Sequence, residues 1–494
     1  MVNCPSTRSQ ESPGAGALRR SRRHLVTDLA KATVRWMLPT SSVLLLAACA
    51  NVAGPDYVTP DLPEKNTWSV PRDEGAKELI RLDWWTGFGD PYLSQLIERA
   101  IADNVDLHIL AERINLAGLG VERERATNLP KLGVSGSTDR SRTPDSSSKQ
   151  HNVSLTGISW EIDLWGKTRK SVDAQKAEYL ASEADWRAGY LTLVSDVASS
   201  YFQIRQLDEQ IAQQEQALAR NKQILAIYLD QQREGLVASS KLLQQTAEIR
   251  ALRNQLLDLQ RQRTVAENRV VTLLGVPAGT LPIPTGYLTE SVRPLGVPPG
   301  LPADLLARRP DVIAAEYRVL KAHQLVGRAR LARLPSFGLT GTGGLASATL
   351  GTLLNGWSLG LSATVNIPIF DPNLGLDIKT NEGQQRIAAD QYRKTVFTAF
   401  EEVENSLTSV AVRKLQLEEL QARLADLRIV NQAVQAQLRE GIVSQLEVFE
   451  NERSLLAVQQ EILTVRQAIL DDTVTLYKAM GGGWPRTVVA ADKL

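Results

Sequence analysis

The chain carries one pattern twice. Residues 104–136, NVDLHILAERINLAGLGVERERATNLPKLGVSG, can be laid on residues 309–341, RPDVIAAEYRVLKAHQLVGRARLARLPSFGLTG. Asp106 meets Asp311, Arg113 meets Arg318, Pro130 meets Pro335, and Gly133 and Gly136 meet Gly338 and Gly341, at an offset of 205 positions. Further on, Arg233-Glu234-Gly235 meets Arg439-Glu440-Gly441, and Gly275 meets Gly481, at an offset of 206. An offset held over most of the chain means that one structural unit is used twice, so the fold has to be explained from one copy of it.

Each unit has the same order of patterns. A helix is predicted over 93–127 and again over 303–333, each followed by a proline (Pro130, Pro335) that cannot continue a helix interior. Two short alternating runs come next: 132–142 and 153–165 around the polar tip TPDSSSKQ, then 337–345 and 357–370. In the last run Trp357, Leu359, Leu361, Ala363, Val365, Ile367 and Ile369 alternate with Ser358, Gly360, Ser362, Thr364 and Asn366. Strict period two gives a strand with different solvents on its two faces. Its length is close to the ~10 residues of a membrane-spanning strand. In 153–165 the apolar face changes register near Gly157, which predicts a bulge.

A long proline-free stretch follows each pair, 167–233 and 377–439; the first would span roughly 100 Å as a helix. After the Arg-Glu-Gly turns, second helices are predicted over 239–274 and 444–480. Ile249, Leu252, Leu256, Leu259, Ala266, Val270 and Leu273 are spaced three and four apart, with Arg263 as a polar exception. Leu417, Leu420, Leu424, Leu427, Val434 and Leu438 do likewise, and Leu446, Phe449, Leu456, Leu463 and Leu470 continue the pattern, interrupted by Arg453, Gln460 and Gln467. A 3.5-residue period is the seam of a coiled coil. A Pro/Gly-rich connector joins the two units.

What is missing narrows the function. The 56 Lys+Arg and 55 Asp+Glu nearly cancel, so no basic excess points to nucleic acid. The two cysteines, Cys4 and Cys49, are both near the N-terminus, and the four histidines (His24, His108, His151, His323) have no metal-ligand spacing. No nucleotide loop or catalytic triad is found. Aromatic residues are few, so a large aromatic core is not expected.

The N-terminus is a targeting segment in composition. A basic stretch over 1–36 precedes the short apolar run 43–48, far below the ~18 residues of a spanning helix. Translation from Met1 and from nearer Met37 are both open. Leu46-Ala47-Ala48-Cys49 resembles the lipobox of bacterial lipoproteins. That resemblance implies a covalent lipid on Cys49, and Ala50 in the next position favours the outer membrane.

Four strands cannot close a barrel, and open sheet edges are not tolerated in lipid. If these strands enter a membrane, several chains share one barrel and the polar-faced rods project from it. The sequence resembles the outer-membrane channels of tripartite efflux pumps, of the TolC/OprM type. The residues that carry the likeness are WWTGFGDPYLSQLIERAIADNVDL (84–107), SWEIDLWGKTRKSVDAQKAEYLASEADWRAGYLTLVSDVASSYFQIR (159–205), LPADLLARRPDVIAAE (301–316), LPSFGLTG (334–341), VNIPIFD (365–371) and LYKAMGGGW (476–484). GPDYVTP after Cys49 is similar to the lipoprotein branch.

The resemblance implies a mainly α fold with a small β part: four strands per chain in a homotrimeric 12-stranded β-barrel, above a periplasmic α-barrel of coiled coils. It implies a passive exit duct for small toxic compounds or drugs. An inner-membrane RND-type transporter and a periplasmic adaptor would deliver them, and the channel would do no chemistry. A duct for type I protein or other-solute secretion is the alternative. The expected division is a signal peptide (1–48), a lipidated extended segment (49–83), a first repeat (84–275), a connector (276–302), a second repeat (303–484) and a tail (485–494). REGIVSQLEVFENERSLL (439–456) matches the family's tip segment. The match implies that Leu446 is an apolar constriction, Glu450 an acidic ring and Arg453 a tie between neighbouring helices. On the residues alone, Glu450 and Arg453 are a local surface pair. Two places depart from the family. Lys241 stands where an acidic residue is common, which puts a cation-favouring mouth in question, and Pro372-Asn373-Leu374 replaces a Gly-Gly-Arg type turn.

Overall fold

The computed structural model describes residues 52, 54–60, 82–293, 295 and 308–485. The signal segment, Cys49 and most of the tail lie outside the described residues. Two helices, α1 (Pro91–Asp103) and α2 (Val105–Ala126), lead into strands β1 (Lys131–Thr143) and β2 (Ser146–Ile162). The long α3 (Lys167–Arg233) and α4 (Ser239–Leu273) complete the first unit. The second runs α5 (Pro310–Leu331), β3 (Ser336–Ser347), β4 (Trp357–Asn366), α6 (Pro372–Arg439) and α7 (Gln445–Ala479). Among the described residues no helix is long and apolar enough to cross a membrane.

The first predicted helix, 93–127, is two helices. Asn104 makes the break: its side chain caps Leu107 N at 2.9 Å, while its own N–H bonds Ala100 O and ends α1. In the second unit the described helix starts at Pro310, and residues 303–307 of the predicted span lie outside the described residues. Proline at the first helical position pushes the preceding Arg309 to extended backbone (φ −67, ψ 128). Each of these junction residues also reaches the end of its own unit: Asn104 Nδ2 donates to Leu273 O (2.9 Å), and Arg309 Nη1 to Ala479 O (3.0 Å). The duplication is therefore visible in single hydrogen bonds.

The strands form one antiparallel sheet in the order β1-β2-β3-β4. The Ser-rich tip is shorter than composition suggests. Ser146, Ser147 and Ser148 pair with Thr143, Arg142 and Ser141, leaving Pro144 and Asp145 as the turn. The register of β2 shifts between Leu155 and Ser159, which is the bulge expected near Gly157. β4 stops at Asn366 because Pro368 has no N–H for a ladder. Pro372, Asn373 and Leu374 then form the first turn of α6, capped by the Asp371 side chain on Asn373 N (2.9 Å). One face of the sheet carries Val134, Leu155, Leu339, Leu345, Trp357, Leu359, Leu361 and Val365. The other carries Ser135, Ser154, Thr340, Thr342, Ser358, Ser362, Thr364 and several glycines.

The main core sits where the helices of both units meet. Aromatic residues are few but concentrated here, against expectation. Trp84 stacks on Tyr477 at 5.2 Å, and Phe88 packs edge-on against Phe202 at 4.9 Å. Trp186, Tyr201, Phe88 and Phe202 are fully buried. Lower down, the predicted seam residues Ile249, Leu252, Leu256 and Leu456 pack with Ala217 and Leu218 in a smaller cluster.

Candidate functional site

The long helices turn back at two equivalent places. At the first, Gly235 (φ 73) gives its N–H to Gln232 O, and Leu236 gives its own to Gln231 O. At the second, Gly441 (φ 72) bonds Leu438 O, and Ile442 bonds Gln437 O. Both are paired closures in which a left-handed glycine satisfies the last carbonyls of a helix. The returning helices differ. α7 begins with a capping box between Ser444 and Glu447, whereas Ala238 before α4 offers no side-chain cap.

Above these turns stand the four residues expected at the aperture. Lys241 is exposed in the first turn of α4. Leu446 is 59% exposed in the first turn of α7, although apolar. Glu450 is exposed, and its backbone oxygen accepts from Ser454 Oγ. Arg453 does not pair with Glu450 three residues away; its guanidinium reaches Glu248 on α4 at 2.5 Å. This pair bridges the two units. With Arg453 largely exposed, it contributes about 0.2–1 kcal/mol. Burial raises the Glu452 carboxyl above its ordinary range, against the opposing effect of Arg220 on α3 and Gln435 on α6. Asn451 donates to Asn431 on α6 (3.0 Å). The lower part of α7 is therefore tied to α3, α4 and α6 by polar contacts as well as by the small apolar cluster around Leu456.

Sequence reasoning passed over Glu248 and two further polar systems. The first is a ladder on α3. Gln210 donates to Gln460 O, Gln214 to Leu252 O and Gln255 Oε1, and Gln245 to Asn221 O and Oδ1. Gln214 and Gln245 are fully buried. The signal was there in the spacing of Gln206, Gln210 and Gln214, one helical turn apart on one face.

The second system explains the exception at Arg263. It pairs with Asp208 (2.6 Å) and Glu267 (2.9 Å) and donates to Ile283 O (2.7 Å). Burial alone would lower its guanidinium, but the two carboxylates outweigh that and raise it. Around it, Arg205 donates to Pro284 O, Glu267 accepts from Ile283 N, Asp208 from Gly286 N, and Glu209 from Thr289 N. Five side chains of α3 and α4 thus hold the backbone of one connector segment. Tyr201, which donates to Asp90 at 2.5 Å and accepts from Arg205, extends the cluster to the cap of α1. Burial and that carboxylate push the Tyr201 hydroxyl well above its ordinary pKa.

No group of His, Cys, Asp and Glu among the described residues could hold a metal ion. His151 is hydrogen-bonded to Thr138 (3.0 Å), His108 to Ala102 O (3.0 Å), and His323 packs against Tyr57. The tip, ladder and clamp are side-chain contacts that hold helices and the connector to one another.

The comparisons with known proteins agree with this geometry. The family described as outer membrane efflux protein matches residues 96–276 and again 301–482. The cation efflux system protein CusC of Escherichia coli O6:H1 is 31% identical over 461 residues, covering 91% of this chain and 98% of its own length. The toluene efflux pump outer membrane protein TtgC of Pseudomonas putida is 30% identical over 480 residues, covering 90% and 96%. A solved crystal structure of CusC superposes with a TM-score of 0.77 at 29% identity, covering 87% of this chain and 99% of that one. Two tandem copies of one matched unit, long helical rods and a small sorted sheet place the chain in the outer membrane efflux protein family, a family of channels rather than enzymes.

Proposed function

We propose that three copies of this chain close one 12-stranded barrel in the outer membrane above a helical periplasmic tube, and that this duct passively conducts small toxic compounds outward. The observation that carries the reading is the sheet. It has four strands, two unpaired edges on β1 and β4, and faces sorted into apolar and hydroxyl-bearing. Such edges are tolerated in hydrocarbon only if paired, and three sheets end to end give an even-stranded closed wall. The apolar face then meets lipid, and the Ser/Thr/Gly face lines the lumen.

The duct is served by a periplasmic adaptor and an inner-membrane RND-type transporter. Its relatives are named for cations and toluene, and a lumen of hydroxyls and glycines fits such breadth, since neither group selects strongly for charge or shape. At the periplasmic end Leu446, Glu450, Arg453 and Lys241 form the aperture, repeated around the threefold axis, with the Arg453–Glu248 pair holding each subunit's α7 against α4.

Cys49 carries the lipid anchor. Gly54 lies beside Arg330, Tyr57 against His323, and Thr59 Oγ1 donates to Glu316 Oε1 (3.2 Å), so this segment tracks down α5 from its sheet end. Five positions separate Gly54 from Cys49, a reach of at most about 17 Å. Single-channel recording in planar bilayers tests the proposal. Wild type should show small, stable conductance, and Glu450→Ala or Arg453→Ala should raise it. Unchanged conductance in both variants would refute the aperture assignment.

A further inference from the structure

Charge is sorted by face on the hairpin of β1 and β2. β3 pairs no further than His151, so residues 139–150 form a two-stranded ribbon beyond the sheet. Counting along the register from Val134 and Leu155, the pairs Thr138–His151, Arg140–Lys149 and Arg142–Ser147 fall on the apolar side. The lumenal side carries Ser137, Asp139, Ser141, Ser148, Gln150 and Asn152. All three cations of the ribbon therefore stand on the lipid-facing side. The strand carboxylate, Asp139, stands on the other, where it accepts from Ser137 Oγ (3.2 Å) and Asn152 Nδ2 (3.4 Å). Arg140, Arg142 and Lys149 are exposed and have no ion-pair partner among the described residues.

Two physical facts give this cluster a meaning. Like charges directly opposite across strands repel, and Arg140 faces Lys149 with Arg142 diagonal to them. An anion between them would relieve that repulsion. Height supplies the second fact. The apolar rows end at the level of Gly136, Val153, Leu345 and Trp357. Four residues further, at about 3.4 Å each and a tilt near 40°, Arg140 and Lys149 stand about 10 Å above that edge. The headgroup layer extends about 5–8 Å beyond the hydrocarbon, and long basic side chains lean back toward it along their apolar stems.

We propose that Arg140, Arg142 and Lys149 form a binding site for the phosphate-bearing headgroups of outer-leaflet lipid. The inference rests on the reading that the apolar sheet face meets lipid. Guanidinium groups pair bidentately with phosphate oxygens, and the site continues the lipid-facing wall outward, where a membrane lipid is the adjacent anion. Three subunits would carry three such sites around the barrel.

The test is native mass spectrometry of the mature, detergent-purified protein titrated separately with lipid A, lipid A stripped of its phosphates, and inorganic phosphate. Lipid A should be retained at least tenfold more strongly than the dephosphorylated form. Arg140→Gln, Arg142→Gln and Lys149→Gln should each weaken its retention by about fivefold. The double exchange Ser148→Lys with Lys149→Ser keeps the net charge but turns one ammonium to the lumen, and it should weaken retention like Lys149→Gln. Equal retention of dephosphorylated lipid, retention unchanged in the triple variant, or binding of inorganic phosphate as strong as that of lipid A would each overturn the proposal. The same spectra report subunit number and the same sample can be recorded in bilayers. A wild-type protein that is neither trimeric nor conducting would defeat the underlying duct reading instead.

Discussion

At the residue scale, this protein places polar groups where its coiled-coil pattern calls for apolar ones, and each has a partner that explains it. Arg263 holds the connector, Arg453 reaches Glu248, and Gln460 reaches Gln214. The sequence showed these positions as interruptions but not as contacts, because partners 205 or 246 residues away have no local signature. The proposal that Cys49 carries a lipid rests on its sequence neighbours alone; Cys49→Ser should abolish metabolic labelling with palmitate, and persistent label would defeat the lipobox assignment. Asp471 on α7 went unnoticed. Burial pushes its carboxyl up to about 6, against the lowering effects of Ser199 on α3, its helix neighbour Gln467 and Arg413 on α6, with Asp472 adding repulsion. One of its oxygens, Oδ1, is buried without a hydrogen bond. A folded-state pKa above the unfolded value contributes stability that is fully present below about 3.8 and is lost as pH rises through about 6. Asp471→Asn should therefore stabilise the protein at pH 7.5 by about 1–2 kcal/mol, with the gain fading at pH 4. Thermal melts showing the same shift at both pH values would contradict this.

At the scale of elements, the long helices were the most legible part, because 167–233 contains no proline and ends at a Gly-bearing turn that closes a helix chemically. Junctions were less so. The break at Asn104 depends on a side chain that caps one helix and reaches across to Leu273, and only the first half of that is written locally. The hairpin tip was overestimated because serine favours loops by composition yet pairs here as strand. The glycines of the turns and of the unit ends test the same logic. A Cβ at Gly235 would meet nothing within 4 Å, so Gly235→Ala should cost only the left-handed backbone term of about 1–2 kcal/mol. A Cβ at Gly275 would lie 2.3 Å from Asp103 O, pressing the end of α4 against α1. Gly275→Ala should be the more damaging by at least about 1 kcal/mol, given the added cost of overpacking. Denaturant melts that rank the two variants in the opposite order would show that the α1–α4 junction is not closely packed.

At the scale of the whole molecule, a doubled chain leaves its work unfinished. The sheet is open at both edges, and α6 exposes Ile387, Phe397, Leu415 and Ile429 along its length. The duplication and the alternating strand raised the expectation, carried here as a proposal, that several chains share one wall. They could not show how a subunit keeps its rods in place without a continuous apolar seam. The polar ladder and the connector clamp add to the two apolar clusters between the rods, and both are contacts between segments apart in the chain. The mass of the purified, mature protein in mild detergent tests the central claim most directly. Native mass spectrometry should find three chains per particle at all working concentrations; a monodisperse single chain that keeps its hairpins folded would contradict the account.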